Sequence, residues 1–252
     1  MKKHKKIYPY HHTLLLVTLV TLFLVTACAT VSTASSPTSP TPTATKTQPT
    51  PKISLLSSPL TYVALGASDA VGVGSNQPGS QGYVPLLAAK LPKGSHLINL
   101  GISGIHVHAA LTEELPIALS TSPRLVTIWL VVNDFIGGVT YENYLHDLDT
   151  LLNQLHNYTH ATMAIANLPD LTRLPAFSGQ TAAQKKETQQ AIQHWNAGIA
   201  TLAAHYNVIL VDLYSHGSQL TTHPEYISGD GFHPGPAGYV QLANIFWGAI
   251  KG

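Results

Sequence analysis

The chain has 252 residues, 13 Lys and Arg against 12 Asp and Glu, and a formal net charge of +1. With only 10% of residues charged and no basic stripe in the folded part, a nucleic-acid partner is excluded. Cys28 is the single cysteine, so no disulfide can close within the chain.

Met1-Lys2-Lys3-His4-Lys5-Lys6 forms a basic start, and Leu14 to Val25 is an apolar run. That run is shorter than the roughly 20 residues a spanning helix needs, so the pattern predicts a signal peptide. It leads into Val25-Thr26-Ala27-Cys28, which resembles the bacterial lipobox, where small residues precede a cysteine that is lipidated. Residues 1–28 are therefore expected to be a lipoprotein signal ending at Cys28. Residues 29–58, mostly Thr, Ser, Pro and Ala, cannot bury a core and should form a flexible or partly extended tether. Residues 59–252 are long enough for one domain.

Thr61 to Leu65 is a short apolar run stopped by Gly66, as in a buried strand. Tyr83 to Leu91 has helical spacing and ends at Pro92. His96 to Leu100 reads as a second strand, and His106 to Leu119 as a helix broken near Pro116. Arg124 to Val132 is apolar nearly throughout and should be the central strand. Tyr141 to Tyr158 places Leu145, Leu148, Leu151, Leu152 and Leu155 on one helical face. Ala161 to Ala166 predicts a fourth strand, Leu168 to Gly179 a loop, and Thr181 to Tyr206 a long helix. Val208 to Val211 predicts a fifth strand, and Ala237 to Ile250 a closing helix. Strands alternating with helices predict an α/β fold, a three-layer α/β/α sandwich around a five-stranded parallel sheet of flavodoxin-like type.

Sites in such sheets lie outside the carboxyl ends of the strands. Ser68, Gly101 to Gly104, Asn133-Asp134 and Asn167 all follow strand ends, so they should converge. His233 lies between the last strand and the last helix and can reach the same edge. In Asp230-Gly231-Phe232-His233-Pro234 the carboxylate can accept from one ring nitrogen while the other faces a nucleophile. Ser68, straight after an apolar run and a glycine, is placed to be that nucleophile. Each residue also has a plainer reading. Ser68 could cap the following helix, Asn133 could hold a strand-end turn, and Asp134 should cap or brace its loop. Asp212, after the fifth strand, is a rival orienter of His233. His106 and His108, spaced H-x-H, are the best metal pair among 14 scattered histidines, with no third His nearby in sequence.

The chain resembles the SGNH, or GDSL-like, hydrolase superfamily over essentially the whole domain. Four blocks carry the resemblance in order: Gly66-Ala67-Ser68-Asp69-Ala70-Val71-Gly72, Asn99-Leu100-Gly101-Ile102-Ser103-Gly104, Val131-Val132-Asn133-Asp134, and Asp230-Gly231-Phe232-His233-Pro234. The resemblance implies a serine esterase, with the Gly104 N–H and the Asn133 side chain as oxyanion donors beside the Ser68 N–H. A glycine at 104 lets the backbone approach the oxyanion without a Cβ in the way. Ala67 departs from the usual Asp before the serine. Val131 replaces the first glycine of the third block and should stand beside the cleft.

The expected reaction is acyl transfer from a carboxylic ester to water, needing no cofactor and no metal. With no wide lid or long insertion, short acyl or acetyl esters are favoured over long ones; acetylated glycans and lysophospholipids are compatible substrates. The chain is expected to act as a monomer, held by its lipid anchor on the outer face of the cytoplasmic membrane. From a different class, a non-catalytic surface lipoprotein that binds carbohydrate or lipid on the same fold stands as the alternative.

Overall fold

Residues 57–252 are described by the computed structural model of the protein. The signal peptide and Cys28, and all of the tether but its last two residues, lie outside the described residues. Along the chain come β1 (Thr61–Gly66), α1 (Ser68–Val71), α2 (Pro78–Gln81), α3 (Tyr83–Ala88) and β2 (His96–Asn99). Then follow α4 (Val107–Glu113), α5 (Leu115–Ser120), β3 (Leu125–Trp129), α6 (Val132–Ile136), α7 (Tyr141–Tyr158) and β4 (Thr162–Ala166). The last elements are α8 (Ala182–His205), β5 (Ile209–Val211), α9 (Gln219–Thr222) and α10 (Pro236–Lys251).

The five strands are all parallel, in the order β2-β1-β3-β4-β5. β3 is central, and every one of its residues is buried, as a strand covered on both faces requires. Val63 lies between Ile98 of β2 and Val126 of β3, so β1 is paired on both edges. After β2 the chain crosses over β1 to reach β3. The order therefore reverses between β1 and β3, and the crevice beyond their carboxyl ends is where α/β sheets place a ligand. One helical layer has α3 packed on α10, and the other has α4 and α5 packed on α7, with α7 on α8. Tyr83 of α3 stacks on Phe246 of α10 with ring centroids 4.9 Å apart. In the other layer, Tyr144 of α7 stacks on Trp195 of α8 at 4.7 Å. Such pairs add about 0.5–1.5 kcal/mol beyond their burial.

The helical boundaries follow local chemistry. α7 occupies the predicted Tyr141–Tyr158, and α8 begins with a reciprocal capping box between Thr181 and Gln184. The predicted helix of 106–119 is broken at Glu114, just ahead of Pro116, whose ring cannot continue the preceding turn. Three expectations change. The central strand ends at Trp129, and Val132 already begins α6, so Asn133 sits on a helical turn. Val131 is only 2% exposed and packs in the core, while its neighbour Val132 lines the cavity near the site. The stretch 168–179 folds into two short 3-10 turns, Leu171–Arg173 and Pro175–Phe177. Among the described residues, no helix is long and apolar enough to cross a membrane.

Candidate active site

β1 delivers Ser68 to the sheet edge through a tight strand-to-helix step. Ala67 is the N-cap of α1 and makes no side-chain cap bond, and Ser68 opens the helix. The serine hydroxyl is thus not the cap of that helix. α1 lies so close to the neighbouring loops that a Cβ on Gly66 or on Gly101 would stand 2.7 Å from Ala70 Cβ. The Asn99 side chain closes this junction, donating to Ala70 O at 2.7 Å while accepting from the Gly101 N–H at 3.1 Å. The glycines of the first two sequence blocks therefore set how near the nucleophile turn comes to the 101–104 loop.

Ser68 Oγ lies 2.9 Å from His233 Nε2, across 165 positions of sequence, and His233 Nδ1 lies 2.6 Å from Asp230 Oδ2. A carboxylate only accepts, so Nδ1 carries the proton that donates to Asp230, and Nε2 presents its lone pair to the Ser68 hydroxyl. Asp230 is held in turn by Ser228 Oγ (2.7 Å) and by the backbone N–H groups of Phe232 (2.8 Å) and His233 (2.9 Å). Burial pulls its pKa upward, but the bond from His233 and these other donors outweigh burial and hold the carboxyl well below the usual range. The turn closes through Gly231, at a φ of +76° that favours glycine, and through Ser228 N–H donating to His233 O at 2.8 Å. Sequence reasoning does not single out Ser228; its place two residues before Asp230 is the only signal that could have found it.

Gly104 follows β2 and Asn133 follows β3. Asn133 Nδ2 donates to Ile105 O at 2.9 Å, which ties the Asn133 side chain to the residue after Gly104. Gly104 has a φ of +81°, and a Cβ built there would meet nothing within 4 Å. The left-handed backbone by itself favours glycine at this position, in addition to the open approach that an oxyanion would need.

The remaining candidates separate. Asp134, 1% exposed, accepts the Val107 N–H with both carboxylate oxygens, at 3.3 and 3.1 Å, and so braces the start of α4. Burial raises its pKa, against the Val107 bond and the neighbouring His106. Asp212 accepts from Asn167 Nδ2 at 2.8 Å and from the Ser215 N–H, and is not the carboxylate on His233. His106 and His108 diverge: the first faces Asp134 at 3.6 Å and the second faces Asp147 at 3.1 Å. No group of three His, Cys, Asp or Glu that could hold a metal occurs among the described residues.

Asp69, next to the nucleophile, has no role that the sequence pattern reveals. It is half-buried and lines a cavity of about 80 Å³ whose other walls include Leu171, Leu174, Phe232, Leu242 and Ile245. Burial in these apolar surroundings pushes its carboxyl up to about 6, while His233 pulls it down.

No curated protein sequence matches the chain. Among solved structures it is similar to TesA (24% identity, TM-score 0.61, covering 76% of this chain and 98% of TesA). It is also similar to Axe2, an acetylxylan esterase from Geobacillus stearothermophilus (19% identity, TM-score 0.61, covering 77% and 95%). A putative GDSL-like lipase from Parabacteroides merdae aligns at 24% identity and TM-score 0.60, over 75% and 94% of the two chains. At these identities the likeness speaks for the fold, and in each case the chain spans nearly the whole neighbour. The sequence profile of the GDSL-like lipase/acylhydrolase family matches residues 64–241, from within β1 into α10 and across all four blocks. With fold and profile in agreement, the chain belongs to the GDSL-like lipase/acylhydrolase family and is an SGNH-type ester hydrolase.

Proposed function

We propose that this protein hydrolyses carboxylic esters with Ser68 as nucleophile, His233 as general base and acid, and Asp230 as the group that orients His233. The observation that carries the reading is the chain from Ser68 through His233 to Asp230, with contacts of 2.9 and 2.6 Å. Ser68 Oγ attacks the ester carbonyl as its proton passes to His233 Nε2. The imidazolium then gives that proton to the leaving alkoxide, and the acyl group stays on Ser68. Water then attacks the acyl carbon as its proton passes to Nε2, and the Ser68 Oγ–acyl bond breaks as Nε2 returns the proton to Oγ, releasing the acid. Asp230 keeps Nδ1 protonated throughout and stabilises the imidazolium. The Ser68 and Gly104 N–H groups and the Asn133 amide serve as the oxyanion donors. Asn133 has two amide hydrogens, and its bond to Ile105 O occupies one of them.

Short acyl or acetyl esters are the preferred substrates on this reading. The 168–179 segment folds back into short turns rather than extending as a lid, and one structural neighbour is an acetylxylan esterase. Cys28 supplies the lipid anchor, residues 29–58 the tether and residues 59–252 the catalytic domain, a monomer at the cell surface. A series of p-nitrophenyl esters of increasing acyl length, assayed with wild type and Ser68→Ala, tests the reading. Turnover highest on acetate and butyrate and absent in the variant is expected. Full activity in a folded Ser68→Ala protein overturns it and returns the non-catalytic binding alternative to first place.

A further inference from the structure

Glu114 is fully buried at the break between α4 and α5, and the proposed ester hydrolysis makes no use of it. Its backbone is spoken for, donating to Ala110 O and accepting from the Ala118 N–H. The side chain turns inward beneath the site. Its Oε1 accepts from the Gly66 N–H at 3.4 Å, and the same carboxyl faces the Ile102 N–H, which also donates to Gly66 O at 3.0 Å. Gly66 stands two residues before Ser68, and Ile102 two residues before Gly104. One carboxyl thus joins the strand end that aims the nucleophile to the loop that carries an oxyanion donor. Its second oxygen, Oε2, is shut off from solvent and has no hydrogen-bond partner among the described residues.

We propose that Glu114 is a positioning residue for ester hydrolysis, fixing the separation of Ser68 and Gly104 by holding the Gly66 and Ile102 backbones from below. The proposal rests on Ser68 being the nucleophile and Gly104 an oxyanion donor. The carboxyl does this as a neutral acid. Burial pushes it up to about 8, against the pull of the Gly66 and Ile102 N–H groups, and among the described residues no cation faces it. The titratable neighbours that bear on it are the hydroxyl of Tyr83 from α3 and, through Tyr83, that of Tyr62 from β1. Burial raises both phenols, so they stay neutral. At the far end of α4, His106 and Asp134 form a separate pair. Above pH 8 the acid ionises, placing a negative charge against the Gly66 and Ile102 backbones that lead to Ser68 and Gly104. Turnover should therefore fall there.

The test is to measure kcat and KM from pH 6 to 10 for the full chain and for Glu114→Gln, Glu114→Leu and Ser68→Ala, with melting curves at each pH. Glu114→Gln keeps an acceptor of the same shape and cannot ionise. It should keep wild-type kcat at pH 7 and move the alkaline fall upward by at least about one pH unit. Glu114→Leu removes the acceptor and should lower kcat by about 10-fold to 100-fold, the usual cost of a small misplacement, with KM nearly constant. An alkaline limb in Glu114→Gln that coincides with wild type overturns the proposal, whether or not the leucine variant folds. So does a folded Glu114→Leu protein with wild-type kcat. An active Ser68→Ala variant instead removes the reading of the site itself, so the two failures are told apart.

Discussion

His233 is caught between two atoms that it must serve in opposite senses, donating at Nδ1 to Asp230 and accepting at Nε2 from Ser68. Removing either Ser68 or His233 breaks the same proton path. Ser68→Ala and His233→Ala should each bring turnover to near background, and the double variant should be hardly slower than either single one. Asp230→Ala should be severe but milder, and Asn133→Ala should cost about 10²- to 10³-fold in kcat as the loss of one oxyanion donor. Turnover and melting curves of all five proteins check the ranking, and additive losses in the double variant would break it. Asp69 gives a second prediction at this scale. Its carboxyl, pushed up to about 6, places a negative charge near His233 at neutral pH. Asp69→Asn removes that charge. The stability sign is set by the same shift. The folded state binds this proton more tightly than the unfolded chain, so ionising Asp69 between about pH 4 and 6 lowers stability. The Asn variant should accordingly melt no lower than wild type at pH 8. Asp230 and His233 could be read from sequence because three positions fit one turn. The chemistry of Asp69 and Glu114 could not, because it arises from burial by residues far away in the chain.

At the scale of elements, the long helical periods and the five strands were legible, and the end of the longest apolar run was not. The Leu spacing from 145 to 155 fits only a helix, and α7 has the predicted ends. Arg124 to Val132 is apolar nearly throughout, and such a run cannot tell a strand from the first turn of a helix that follows it. The strand in fact stops at Trp129, where the chain must turn to present Asn133 beside the 104–105 loop. Edge strand β2 was read at His96 to Leu100 although three of its four residues are exposed. The helix caps allow a clean stability prediction. Thr181 Oγ1 accepts the Gln184 N–H at 3.3 Å while Gln184 returns a bond to the Thr181 N–H at 2.9 Å. Thr181→Ala should cost about 1 kcal/mol, lowering Tm by about 2–4 °C for a domain of this size. Since the cap touches none of the residues around Ser68, kcat/KM should be unchanged. A variant that melts normally but loses activity would show that the start of α8 matters to the site.

For the whole molecule, the strand order explains why distant blocks of sequence meet. β1 and β3 are neighbours in the sheet although β2 separates them in the chain, so the loops after β1, β2 and β3 open on one crevice. The last loop, before α10, brings His233 over the same edge. The block order was visible in the sequence; the close approach that makes Gly66 and Gly101 necessary was not, since it depends on Ala70 lying over both. Every side chain assigned to the chemistry lies between Ser68 and His233, and the core runs from Leu60 to Ile250. Residues before this region contribute no group to the proposed reaction, which separates location from catalysis. If Cys28 is the lipidated residue, Cys28→Ala should abolish incorporation of labelled fatty acid and shift the protein from the membrane to the soluble fraction. On a soluble short-chain ester, its kcat/KM should equal that of wild type. Absence of label on the wild-type chain would remove the anchor. Reduced turnover in a soluble, folded Cys28→Ala protein would show instead that attachment at the membrane acts on the site.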